Sequence, residues 1–201
     1  MTVAPDDDNT LMLQVARGER AAFAVLFDRH QRSVVRFCER FVGNRGRAEE
    51  LSQDIFINIY KSAARYRPDA RFKTYLFRIA TNHCLNETRR GEARRQVQEP
   101  RDMNDGPSIL EQQPTTDSPE RTLEGKQLEA VVSGAMQAMS ERERAAFSMC
   151  RFEGMAYRDI AEALEATESA VKSLIHRATV QVMNHVEAFQ QGISGPNRGQ
   201  A

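Results

Sequence analysis

The sequence predicts an all-α chain of two small helical domains joined by a flexible linker. Apolar residues recur at three- and four-residue spacing in one stretch after another, and no run alternates apolar and polar residues for long enough to make a β-strand. A proline-dotted acidic segment interrupts this periodicity near the middle of the chain. With 201 residues, 40% hydrophobic and 28% charged, there is room for two small cores.

In the first domain, Phe23, Leu26 and Phe27 begin an apolar stripe that Val34, Phe37, Cys38 and Phe41 continue, and Gly43-Asn44 supplies a helix-ending pair. Ala48, Leu51, Ile55 and Ile59 form the next stripe, whose helix must stop before Pro68. A third helix is expected from about Phe72 to Arg90. Tyr75, Leu76, Ile79, His83 and Leu85 supply its partly apolar face, and Thr88-Arg89-Arg90-Gly91 ends it.

The stretch EPRDMNDGPSILEQQPTTDSPE holds Pro100, Pro107, Pro114 and Pro119 and little apolar content, so it buries too little surface to fold by itself. We assign residues 1–96 to the first domain, 97–125 to a flexible acidic linker, 126–190 to the second domain and 191–201 to a disordered tail. A linker of this length lets the two domains move separately.

In the second domain Ile160, Ala161 and Leu164 offer an apolar face to Val171, Leu174, Ile175, Ala178 and Val182. The break falls at Glu165-Ala166-Thr167, with Thr167 as N-cap of the second helix. This is a helix-turn-helix pattern, whose second helix enters the DNA major groove. Lys172, Ser173, His176 and Arg177 project outward there: two cations, a hydroxyl and a ring able to donate or accept. An ordinary helical hairpin with a solvated face fits the same pattern.

Charge is balanced overall, with 28 bases against 28 acids, but unevenly spread. From Arg71 to Arg95 seven bases face only Glu87 and Glu92, whereas from Glu99 to Glu129 three bases face eight acids. Between Ser140 and Glu187 six bases face eight acids, which argues against a second domain that binds DNA alone.

Enzyme and metal chemistry find no support. The chain carries no GxGxxG, phosphate-binding glycine loop or GxSxG, and no CxxC or HxxxH spacing; His83 and Cys84 are adjacent in a helical pattern and point in different directions. No cofactor or metal is expected. Cys38, Cys84 and Cys150 are odd in number and read as small core residues. No apolar run reaches the roughly 18 to 20 residues needed to span a bilayer, and the amino terminus MTVAPDDDNT is acidic where a secretory signal is basic. A cytoplasmic location is expected.

The order of segments resembles that of sigma factors of the bacterial sigma-70 family, in the extracytoplasmic-function group. GERAAFAVLFDRHQRSVVRFCERFVGNRGRAEELSQDIFINIY is similar to the family's first two helices, and AEELSQDIFINIY is its most specific part. FKTYLFRIATNHCLNETRR resembles the helix that melts promoters and reads the minus-ten element. MSERERAAFSMCRFEGMAYRDIAEALEATESAVKSLIHRA resembles the domain that reads the minus-thirty-five element. The resemblance implies a non-enzymatic initiation factor that binds core RNA polymerase and directs it to promoter DNA.

It also implies residue roles. Glu50, Gln53, Asp54, Ile57 and Asn58 would face the coiled coil of the large β′ subunit, and Lys73, Tyr75, Arg78, Asn82, Arg89 and Arg90 the minus-ten region. Lys172, Ser173, His176 and Arg177 would face the minus-thirty-five element, the second contact being made only when polymerase holds both domains along one promoter. An anti-sigma partner that clamps the two domains is implied as well.

The chain departs from the family in places. Tyr75 stands where Trp is common and reads equally as a core aromatic; Glu165 replaces a glycine, Ser169-Ala170 a Gly-Thr pair, and Leu174 a frequent arginine. Losing the glycine means a turn that either avoids positive φ or accepts strain. Two other classes remain open at this stage: a stand-alone helix-turn-helix regulator, and a sigma mimic that sequesters an anti-sigma protein.

Overall fold

The computed structural model describes residues 7–97 and 123–193, and every element of regular structure among them is helical. The helices are α1 (Asp7–Ala16), α2 (Arg20–Val42), α3 (Arg45–Ser62), α4 (Phe72–Val97), α5 (Leu123–Ala138), α6 (Glu141–Arg151), α7 (Tyr157–Ala163) and α8 (Glu168–Ile193), with a 3₁₀ turn at Ala63–Arg65. Most of the linker assigned to 97–125 and of the tail assigned to 191–201 lies outside the described residues. Residue 97 closes α4, residues 123–125 open α5, and residues 191–193 close α8.

The Gly43-Asn44 pair ends one helix and starts the next. Gly43 takes φ 66°, in the left-handed region, and its N–H donates to the Glu39 carbonyl at 2.8 Å. The Asn44 side chain accepts the Arg47 N–H at 2.9 Å, capping α3. The resulting hairpin buries Leu26, Val34, Phe37, Cys38 and Phe41 of α2 against Leu51, Ile55 and Ile59 of α3, the two expected stripes. Phe23 and Phe27 stay partly exposed and meet α3 edge-on through Tyr60 and Phe56, at centroid separations of 5.0 and 4.9 Å.

Two details of α4 differ from expectation. The helix continues through Gly91 to Val97 rather than ending near Arg90. The Thr88 hydroxyl donates back to the Cys84 and Leu85 carbonyls instead of capping, and one mid-helix glycine costs only about 1 kcal/mol, which strong helix formers such as Glu92 and Ala93 offset. Its core face is also rotated: Phe72, Leu76, Phe77, Ala80 and Cys84 are buried, whereas Tyr75, Ile79, His83 and Leu85 remain partly exposed. The helix is packed on more than one side, by α2 and α3 and also by α6 and α7, so a single-stripe reading was too narrow.

α1 was hidden in an acidic terminus. It buries Met12 and Val15, and its Asp8 carboxylate pairs with Arg29 and with His30, the latter at 2.8 Å. Asn9 donates to the Ala70 carbonyl at 3.2 Å and accepts from the Tyr66 hydroxyl at 2.7 Å, so α1 straps the loop before α4.

The largest surprise is that the two domains share one core. A continuous set of buried side chains runs from α2, α3 and α4 into Ala145 and Met149 of α6, Met155, and Ile160 of α7. Arg144 sits at this junction, 6% exposed, and spends its fork of donors on four carbonyls. Nε donates to Met136 at 2.7 Å, Nη2 to Gln137 and Met139 at 2.9 and 3.2 Å, and Nη1 to Phe41 of the first domain at 3.2 Å. These carbonyls lie at the carboxyl ends of α5 and α2, where helix dipoles are negative, which compensates a cation that burial otherwise disfavours.

Candidate nucleic-acid and partner interfaces

Glu50, Gln53, Asp54, Ile57 and Asn58 are all exposed on α3, on the side opposite Leu51, Ile55 and Ile59. Their three- and four-residue spacing makes them one polar surface with an apolar centre. Arg47 steadies this surface by donating to Glu50 at 2.5 Å and to Glu87 of α4 at 2.9 Å. The Asn58 amide lies 3.2 Å from His83 Nε2, and burial holds His83 below its usual range despite the opposing pull of Asp54. Ile57 is 49% exposed, and Tyr60, one turn on and not singled out from sequence, is 41% exposed. The available signal was its position three residues after Ile57.

On α4 the residues expected to face the minus-ten region separate into two groups. Asn82, Arg89 and Arg90 are exposed. Lys73, Tyr75 and Arg78 are half-buried: the Tyr75 hydroxyl hydrogen-bonds Ser62 at 2.9 Å, the Arg78 guanidinium lies 5.7 Å from the Tyr75 ring, and Lys73 is engaged by the second domain. Tyr75 also meets Tyr66 edge-on at 5.1 Å, which makes it part of the aromatic packing as well as a half-open ring.

In the helix-turn-helix, Ala170 N–H donates to Thr167 Oγ1 at 3.2 Å, giving the expected N-cap of α8. Glu165 takes φ 49°, so the turn accepts left-handed strain where glycine would sit freely, at a cost on the order of 1 to 2 kcal/mol. Arg142 of α6 holds this turn by donating to the Leu164 carbonyl at 2.8 Å. Sequence reading passed over Arg142; a cation in the first turn of a helix, where the dipole disfavours it, was the signal. Arg142, Thr167, Ser173 and Arg177 line an open cleft of about 530 Å³ at the turn.

Lys172, Ser173, His176 and Arg177 are all exposed on α8, while Val171, Leu174, Ile175 and Ala178 are buried beneath them. Leu174 therefore serves the core. Arg177 is not free: its Nε donates to Glu143 Oε1 at 2.5 Å. Glu143 also belongs to the capping box with Ser140, and removing Arg177 would strip it of its cation. Burial alone would raise the Glu143 carboxyl, but hydrogen bonds from Arg177 and Ser140 outweigh it and hold the group below the usual carboxylate range.

That direction fixes a pH dependence. A carboxylate with a depressed folded value stabilises the fold above its unfolded value of about 4.3, and the contribution is lost as pH falls through the lower folded value. The stability difference between the parent and Glu143→Gln is expected to be present at neutral pH and to shrink in acid. Chemical denaturation at several pH values checks this, and a difference independent of pH would contradict it.

Comparison with known proteins agrees with this geometry. Sigma-70 region 2 matches residues 26–95, and Sigma-70 region 4 matches residues 130–181. The RNA polymerase sigma-H factor of Pseudomonas aeruginosa is 31% identical over 177 residues, covering 86% of this chain and 90% of the relative. The ECF RNA polymerase sigma factor SigE of Mycolicibacterium smegmatis is 31% identical over 188 residues, covering 92% of this chain and 70% of the relative. The chain belongs to the sigma-70 family, in its extracytoplasmic-function group. This sigma factor binds core RNA polymerase and directs it to promoters for transcription initiation; it is not an enzyme.

Solved structures share its fold. CnrH in complex with the cytosolic domain of CnrY superimposes with a TM-score of 0.66 at 21% identity, covering 91% of this chain and 99% of the other. The sigma factor RpoE in complex with the anti-sigma factor NepR from Bartonella quintana gives a TM-score of 0.63 at 16% identity, covering 82% and 96%. No helix among the described residues of this sigma factor is long and apolar enough to cross a membrane.

Proposed function

We propose that this sigma factor divides its work among three helices. α3 docks on core polymerase through Glu50, Gln53, Asp54, Ile57 and Asn58, α4 opens and reads the minus-ten region through Lys73, Tyr75, Arg78, Asn82, Arg89 and Arg90, and α8 reads the minus-thirty-five element through Lys172, Ser173, His176 and Arg177. The observation that carries this reading is that the α3 and α8 residues are exposed on single faces opposite the buried stripes, so they are available without disturbing either core. The basic excess of α4 suits a melted strand, where cations track phosphates while ring and amide groups meet unstacked bases.

The domains are residues 1–96 and 126–190, with the acidic segment 97–125 letting them span the promoter. The protein works in the cytoplasm, where polymerase and promoter are, and is held in reserve by an anti-sigma partner. The solved complex of a sigma factor of like fold with an anti-sigma factor supports that partner class.

The test uses Lys172, which is exposed and makes no hydrogen bond or ion pair among the described residues. Lys172→Ala is expected to spare folding and to weaken promoter binding by holoenzyme, on the order of 1 to 3 kcal/mol if it reads a base and less if it meets phosphate. Base-pair changes in the minus-thirty-five element should then matter less to the variant than to the parent. Unaltered sensitivity to those changes would remove α8 as the reader.

A further inference from the structure

Glu143, at the third position of α6, divides its carboxylate between two helices. Oε2 accepts from the Ser140 hydroxyl at 2.7 Å and from the Ser140 N–H at 3.1 Å, which fixes the group at the amino end of α6, where the helix dipole favours negative charge. Oε1 accepts instead from Arg177 Nε of α8 at 2.5 Å. The side chain of the acid is 11% exposed and that of the arginine 58%, so the carboxylate sits beneath α8 while the cation emerges from it. Capping uses one oxygen only, and a glutamine serves in that role as well. The second oxygen has no capping task.

What is left of Arg177 decides what it can read. Nε is spent on Glu143, and Arg177 makes no other hydrogen bond or ion pair among the described residues. The side-on edge of the guanidinium is therefore closed, and the end-on pair Nη1 and Nη2 remains for a ligand at the cleft that Thr167 and Ser173 also line. That pair matches the O6 and N7 acceptors that guanine presents in the major groove. An arginine already held at Nε gives up less side-chain freedom on binding, so more of its contact appears as discrimination.

We propose that Glu143 is a positioning residue for promoter reading: it clamps Arg177 by Nε and so presents the end-on fork to one guanine of the minus-thirty-five element. This rests on the reading above that α8 reads that element. An acid beneath a DNA-facing surface repels phosphate, so an acid serving only as a surface charge would weaken binding, and its removal would strengthen it. The clamp predicts the opposite at one base pair.

The experiment uses holoenzyme, formed from core polymerase and the full chain, on a promoter that responds to the chain in run-off transcription. Each guanine–cytosine pair of the minus-thirty-five element is replaced in turn by adenine–thymine. At one position the parent is expected to lose about tenfold in affinity, the scale of a bidentate base contact, and Arg177→Ala to show no such penalty there. Glu143→Gln should cut the penalty to about threefold, since a neutral acceptor holds Nε roughly half as strongly as a carboxylate. Glu187→Gln, which removes the same charge from an exposed site on α8, should keep it at about tenfold. Adding Glu143→Gln to Arg177→Ala should change nothing further at that base pair, because the clamp then has nothing to hold.

Glutamine preserves the capping box, and circular dichroism verifies that each variant is folded, so a merely structural role leaves the discrimination intact. A full tenfold penalty in folded Glu143→Gln would overturn the proposal, as would an effect of Glu143→Gln that persists undiminished without Arg177. Penalties that survive Arg177→Ala at every position would overturn it too, leaving Arg177 at phosphate. Lys172→Ala then separates the two layers: if it relaxes a penalty, α8 still reads the element and only the guanine contact is lost, whereas penalties that survive both variants remove α8 as the reader.

Discussion

Replacing Asp54 with alanine is expected to weaken binding to core RNA polymerase by about thirtyfold, the size of a hot-spot loss of about 2 kcal/mol, while leaving the first domain folded. Asp54 lies on the exposed side of α3, between Gln53 and the half-exposed Ile57, and the buried stripe of Leu51, Ile55 and Ile59 does not touch it from that side. A carboxylate in water contributes little, but one enclosed beside an apolar centre and paired with a partner's cation is costly to remove. Titration of labelled core polymerase with parent and variant reads the effect. Helicity and unfolding midpoint should be unchanged, and an unchanged affinity in a folded variant would take Asp54 out of the interface.

Arg144→Ala is expected to have the largest effect on stability, about 3 to 5 kcal/mol, because it removes the donor of four hydrogen bonds at once, three of them buried and one partly buried. The Met136, Gln137 and Met139 carbonyls would be left at the end of α5 without a donor from α6, and the Phe41 carbonyl would lose its link to the second domain. Arg144→Lys should recover little, since one ammonium cannot reproduce the planar fork that reaches carbonyls on two helices. Denaturant unfolding of the full chain measures this. A loss below about 1 kcal/mol for the alanine variant would mean that water replaces the guanidinium at the junction, in conflict with its 6% exposure.

The elements with one buried face were legible in the sequence because their periodicity is undiluted. α2 and α3 show it, as do α7 and α8, where Ile160, Leu164, Val171 and Ile175 fall as expected. α4 was legible as a helix but not in its face or length, since side chains buried against the second domain break the single stripe that a bundle helix shows. α1 and α5 were obscured by composition: one lies in an acidic terminus and the other begins inside the segment assigned as linker. The site residues on α3 and α8 could be placed on exposed faces from spacing alone. Pairings between segments distant in sequence could not, because nothing local to Arg177 announces Glu143, and nothing local to Lys73 announces Glu153. The charge counts held the clue to the second of these, in an acidic domain attached to a basic helix.

The most direct measurement is run-off transcription by purified core RNA polymerase on a library of the source genome's promoter fragments, with and without the full chain. The expected result is a small set of new start sites that appear only with the chain, share upstream minus-ten and minus-thirty-five sequences, and weaken when Asp54 is replaced by alanine. Binding to core without any new start site, or start sites with no shared upstream sequence, would contradict the assignment of promoter recognition to α4 and α8.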